Sequence, residues 1–206
     1  AAGPPTDGTW NQQEGSIGIW DPRTGKCVRI LDGHSNWVIA LEASADGKRL
    51  ASASVDRTSR VWSTEDWQTE HVLTAAKQSV ANRFAFATMT DQLFVGHQDG
   101  WVTAWNLKDG TAGPTWSAFG DSLTGLEVDG NRLLATSQSS AQIKSRDLTL
   151  QQTVADLDLG LGIINDMQIA ADGETVSFLN ETGRVLIRHV PPNDRTRKAS
   201  ALTRKD

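Results

Sequence analysis

A single cysteine, Cys27, occurs in the 206 residues. No intramolecular disulfide can form and no Cys-rich zinc site can be built, a usage that suits a reducing compartment, cytoplasmic or nuclear. The four histidines, His34, His71, His97 and His189, show no metal-ligand spacing, so neither a metal nor a cofactor is expected. No run approaches the roughly 18 apolar residues of a membrane span, and no membrane partner is expected. A signal-peptide pattern is lacking too, but the chain starts at Ala1 without a methionine, so targeting is not legible. Neither a Gly-x-Ser-x-Gly nucleophile elbow nor a phosphate loop occurs. Leu159-Gly160-Leu161-Gly162 lacks the third glycine and the following helix that would cradle a phosphate. No enzyme activity is expected.

Positive charge is also scarce over most of the chain. Of the net −5, residues 191–206 contribute +3, five basic residues against Asp194 and Asp206, which leaves −8 on the remainder. An acidic body without a basic groove is poor material for nucleic-acid binding, which rests on phosphate neutralisation. The tail from Arg195 to Lys205 is the one place where nucleic acid could be held. Its Arg197-Lys198-Ala199-Ser200 run also offers Ser200 to a basophilic kinase.

What the chain does have is turns and tryptophans. Asx-Gly and other glycine-containing turns recur between short apolar runs, and no stretch of helical period is long enough to count. Trp20, Trp62 and Trp105 stand 42 and 43 residues apart, each closing a strand-like run; Arg146 and Arg188 continue the rhythm at 41 and 42. Ala171-Asp172-Gly173 lies 126 residues after Ala45-Asp46-Gly47, three repeats of 42 without drift. A period near 42 marks an all-β repeat architecture in which each unit is one four-stranded blade, stable only when stacked on its neighbours.

The fullest copy combines Gly33-His34, Val38-Ile39-Ala40-Leu41, Ala45-Asp46-Gly47, Leu50 to Ser54, Asp56 and Val61-Trp62-Ser63. In these residues the chain resembles the WD40-repeat family. The resemblance covers roughly residues 8 to 190 and implies a β-propeller segment of about four blades plus a partial N-terminal one. The expected divisions are an irregular lead-in, 1–14; blades at 15–32 (partial), 33–77, 78–118, 119–157 and 158–190; and a basic, disordered tail, 191–206. Seven blades, the family's usual number, would need about 290 residues at this period. The segment is therefore expected to belong to a larger ring completed by further sequence or another subunit, a smaller closed ring being the alternative.

The resemblance also implies roles. His34, Ser54, Asp56 and Trp62 are expected to form a structural hydrogen-bond network rather than a hydrolase triad, because a buried indole N–H and a turn aspartate both need partners. Asp99 and Trp105 should keep part of it in the second blade, where His97 occupies the Ser54 position. Gln138, Ser140 and Arg146 would replace it in the third blade, and Asn180, Thr182 and Arg188 in the fourth. Partners would dock on the rim at Trp37, Ile39 and Val55, then Val80, Asn82 and Gln98, then Ser122, Thr124 and Ser139, and finally Ile163, Asn165 and Glu181. The implied function is a non-enzymatic scaffold for protein partners in a multi-subunit assembly; the alternative is a subunit of a ribonucleoprotein or similar complex contacting nucleic acid through the tail.

Overall fold

The computed structural model describes residues 15–75, 79–87, 90–158, 160, 162–170 and 175–189. The lead-in, Lys77, Ala171-Asp172-Gly173, the tail and Ser200 lie outside the described residues. The chain divides into two compact units, Ala1–Asn82 and Arg83–Asp206.

In the first unit, β1 (Ile17–Asp21) and β2 (Lys26–Leu31) form a two-stranded sheet. It is followed by a four-stranded meander of β3 (Val38–Ala43), β4 (Arg49–Ser54), β5 (Ser59–Ser63) and β6 (Thr69–Leu73). The next meander contains β7 (Ala81–Phe86), which crosses the unit boundary, β8 (Gln92–His97), β9 (Trp101–Asn106) and β10 (Thr111–Ser117). β11 (Leu123–Asp129), β12 (Arg132–Ser137), β13 (Gln142–Asp147) and β14 (Gln152–Asp158) make another. β15 (Ile164–Ile169), β16 (Thr175–Asn180) and β17 (Val185–His189) make a sheet of three. Among the described residues, three full blades, one of three strands and one of two match the expected four copies plus a partial one. The fold is all-β, of the β-propeller type.

The repeat extends to irregularities of register. A bulge interrupts the first strand of three sheets at Val38/Ala40, Leu123/Gly125 and Ile164/Asp166, so Ile39, Thr124 and Asn165 occupy one structural position. A second bulge falls beside the tryptophan or arginine that sets the period, at Ile19/Trp20, Val61/Trp62 and Ser145/Arg146. Bulges re-aim side chains and sharpen twist.

Within each unit, neighbouring sheets bury apolar side chains against each other. In the first unit Ile17, Leu31 and Trp62 are buried together, with Ile19, Val38, Leu50 and Trp67 against them. In the second unit Ile143 packs with Ile164, Met167, Val176 and Phe178, joining the three-stranded sheet to the blade before it. The opposite face of that last sheet leaves Leu179, Val185 and Ile187 exposed.

Where the third blade lacks tryptophan, a cation substitutes. The Arg146 guanidinium lies 4.3 Å from the centre of the Trp116 ring, which meets Phe94 edge-on at 6.2 Å. Arg146→Ala is expected to lower stability by about 1 kcal/mol through loss of the cation–π contact and the stem packing. Urea unfolding checks it, and Arg146→Lys should recover only part of the loss.

Candidate functional site

The first full blade holds a continuous chain of polar contacts. Trp62 Nε1–H donates to Ser52 Oγ at 2.9 Å, and Ser52 Oγ lies 2.8 Å from His34 Nε2. His34 Nδ1 lies 2.9 Å from Asp56 Oδ2. The carboxylate accepts further bonds from the Ser35 N–H (2.9 Å), the Thr58 N–H (2.8 Å) and the Thr58 hydroxyl (2.7 Å). Direction is forced at the two ends, because an indole N–H can only donate and a carboxylate can only accept. Burial favours the neutral imidazole, which then carries its hydrogen on Nδ1, toward Asp56, and accepts from the Ser52 hydroxyl at Nε2.

This corrects the expectation for Ser54. Ser52, not Ser54, links the histidine to the indole. Both serines point to one face of β4, but Ser52 sits one pleat nearer Leu50, which pairs with Trp62. Ser54 instead donates to the Asn36 carbonyl (2.9 Å) and accepts from the Asp56 N–H (3.0 Å), which holds the turn. Thr58, which the sequence reading missed, supplies two of the bonds to Asp56; the Asp-x-Thr spacing was its signal.

Among the described residues, the contacts at the equivalent positions of the later blades differ. In the second blade Trp105 is buried, but Asp99 accepts only a long 3.5 Å contact from the Trp101 N–H. His97 faces Thr103 at 3.4 Å. In the third blade Leu123 pairs with Ser137, as Val38 pairs with Ser54. Ser137 thus takes the place assigned to Gln138, because the β12–β13 loop holds one more residue. In the fourth blade Asn180 caps its turn alone, accepting from Thr182 N–H (3.1 Å), Thr182 Oγ1 (2.9 Å) and Arg184 N–H (2.9 Å).

Burial pushes the His34 imidazole below its ordinary value, partly offset by Asp56. Burial pushes the Asp56 carboxyl up, but the bonds from Thr58, Ser35 and His34 outweigh it and leave it at about 2. Both are lower folded than unfolded, so both contribute stability at high pH that is lost on acidification. The His34 part is complete above about pH 6.5 and declines below it. The Asp56 part is complete above about pH 4 and, with a side chain only 7% exposed, is worth about 2 kcal/mol by pH 2. The urea midpoint should therefore fall from pH 7 to 5 and again from 4 to 2. Asp56→Asn should shrink the second fall, and what remains belongs to the other carboxyls held below their ordinary value, Asp21, Asp46, Asp66 and Asp147.

The rim shows a repeated geometry of its own. A backbone N–H after the second strand bonds to the carbonyl before the first. The pairs are Val55 to Trp37 (3.0 Å), Gln138 to Ser122 (3.0 Å) and Glu181 to Ile163 (2.9 Å). Gln138, not Ser139, is thus the counterpart of Val55. Of the rim candidates, Trp37 is 61% exposed, Ile39 42% and Val55 39%. Gln98, Asn165 and Glu181 are exposed, whereas Val80, Ser122 and Ile163 are half-buried. Asn82 is buried, which removes it from a docking surface: β7 is covered on both faces, and simple alternation does not reveal that. Thr124 is occupied internally, donating to the Ile164 carbonyl at 2.6 Å. Among the described rim candidates, only those of the first full blade set apolar side chains side by side in solvent. Among the described residues no cluster of metal ligands occurs, and no helix is long and apolar enough to cross a membrane.

Comparison with known proteins agrees with this geometry. The model of the WD domain, G-beta repeat, matches residues 25–63. Nuclear distribution protein PAC1-2 of Uncinocarpus reesii (strain UAMH 1704) is 42% identical over 62 residues, 30% of this chain and 14% of that protein. The Lissencephaly-1 homolog of Caenorhabditis briggsae is 35% identical over 107 residues, 50% of this chain and 26% of that protein. The chain thus corresponds to only a minor part of these relatives. The crystal structure of the computationally designed Ika4 protein superposes with a TM-score of 0.64 at 21% identity, covering 78% of this chain and 96% of that one, a likeness of fold alone. The matched model shows a WD40 repeat at residues 25–63, and the repeat period and bulge register extend the likeness to the other blades.

Proposed function

We propose that the chain is a non-catalytic scaffold that binds a protein partner, within a multi-subunit assembly in the cytoplasm or nucleus, through the rim of its first full blade. The observation that carries this is Trp37. Its indole is 61% exposed beside Val55 and Ile39, while its backbone is fixed by the Val55 N–H bond and by Asn36 Oδ1 accepting from the Trp37 N–H at 2.8 Å. Asn36 is itself held by Ser54. A large aromatic displayed on rigid backbone binds with little ordering cost, and such residues dominate binding hot spots. The missing blades of the ring would come from further sequence or another subunit.

Quantitative affinity purification with the intact protein tests the reading. Trp37→Ala should lose a stoichiometric protein partner, with affinity reduced about 30-fold or more, and leave the unfolding midpoint unchanged. A partner retained equally by Trp37→Ala contradicts the reading. Salt-sensitive RNA or DNA lost on removing residues 191–206 would instead favour the nucleic-acid reading.

A further inference from the structure

β13 carries two half-buried cations that no acidic group neutralises among the described residues. Lys144 and Arg146 lie opposite Ala135 and Leu133 of β12, so both project from one face of the strand. That face meets two aromatic rings at the end of β10. The Arg146 guanidinium stands 4.3 Å from the centre of the Trp116 ring, and the Lys144 ammonium 4.7 Å from that of Phe119. Both rings are fixed, Phe119 by burial and Trp116 by its edge-on contact with Phe94. Beside them is a cavity of about 10 Å³ lined by Trp116, Leu133, Ala135, Lys144, Arg146 and Thr153. It has room for one oxygen atom.

The donors of these two cations have no protein acceptor. Arg49, Arg60 and Arg83 donate to Glu70, to the Gly33 carbonyl and to the Thr124 carbonyl. Among the described residues, Lys144 and Arg146 make no hydrogen bond and no ion pair. The contrast with Arg60 is direct, because Arg60 and Lys144 hold one position in their blades: Leu41, Ser52 and Arg60 pair across the sheet as Leu126, Ala135 and Lys144 do. Asp156 lies opposite Lys144 on β14, but it is exposed and forms no ion pair with it. Burial pushes the Arg146 guanidinium below its ordinary value, and no neighbouring charge offsets it. A ring face attracts a cation but leaves its N–H groups in need of acceptors.

We infer that this face of β13 binds an oxyanion, the phosphate or carboxylate group of a side chain on a protein partner. Arg146 offers two parallel N–H bonds to a pair of oxygens, and Lys144 adds a point charge beside them. The small cavity takes a single oxygen of the same group. Stacking on the rings holds both cations in place before binding, so little freedom is lost. Two positive charges match a phosphate dianion better than one carboxylate. This inference does not rest on the Trp37 rim, and its test needs no partner bound there.

NMR titration of the full chain at fixed ionic strength tests it, read at the Trp116 indole Nε1–H. The probes are a short alanine peptide with a central phosphoserine, the same peptide with glutamate, and inorganic phosphate. The phosphoserine peptide should shift the signal saturably, with a Kd below about 1 mM. Lys144→Gln and Arg146→Lys should each weaken binding at least about fivefold, the second because an ammonium lacks the fork. Asp156→Asn should tighten it, and Arg23→Gln, on a side chain 90% exposed, should leave it unchanged. An unchanged amide spectrum shows that each variant is folded. No saturable shift from any probe, or equal weakening by Arg23→Gln, would overturn the proposal. Glutamate peptide binding as tightly as the phosphoserine peptide would assign the site to carboxylates. Inorganic phosphate binding as tightly as the peptide would overturn the assignment to a protein partner.

Discussion

Gly100→Ala should lower the stability of the second unit by about 3–5 kcal/mol. Two costs add. The residue has φ +78°, where any L side chain meets its own backbone. The new methyl would also strike the Phe119 and Asp121 carbonyls, which belong to backbone that cannot swing aside. Gly183 separates the two contributions, because its φ is +76° but nothing lies within 4 Å of a Cβ there. Gly183→Ala should cost only about 1 kcal/mol, the conformational part alone. Denaturant unfolding of both variants measures the steric part by difference.

Asp56→Ala should destabilise the first unit by about 3 kcal/mol. It strips the acceptor from four donors at once, in a site where the His34 side chain is wholly buried and that of Asp56 nearly so. Ser52→Ala belongs to the same class, since the Trp62 N–H, on a ring 2% exposed, then loses its acceptor. Thr182→Ala, at the equivalent place in the fourth blade, should cost less than about 1 kcal/mol, because it removes one exposed hydroxyl bond. Urea unfolding monitored by tryptophan fluorescence checks the contrast; similar losses for Asp56 and Thr182 would show that the polar chain is not specific to one blade.

The tryptophan period was legible because it needs only spacing, and the blade count followed from it. The identity of the bridging serine was not. Ser52 and Ser54 share a face, so alternation treats them alike, and only the pairing of Leu50 with Trp62 distinguishes them. The third blade differs by one residue for a related reason: a fixed period carries no information about a hairpin lengthened by a single position, so spacing points to Gln138 where the pairing has Ser137. Spacing alone places Asn82 on the rim, yet every residue of β7 is buried or half-buried. Trp37, by contrast, stood out in the sequence and is the most exposed large aromatic on the rim.

Site-specific photocrosslinking in the intact protein tests most directly whether the first-blade rim is a docking surface. A benzophenone side chain would replace Trp37 in one variant and Leu150, similarly exposed at 62% on the outer loop before β14, in another. Docking at the rim predicts a discrete crosslinked protein species from position 37 that is missing from position 150 and is competed away by unlabelled wild-type chain. Equal crosslinking from the two positions, or none from position 37, would contradict it.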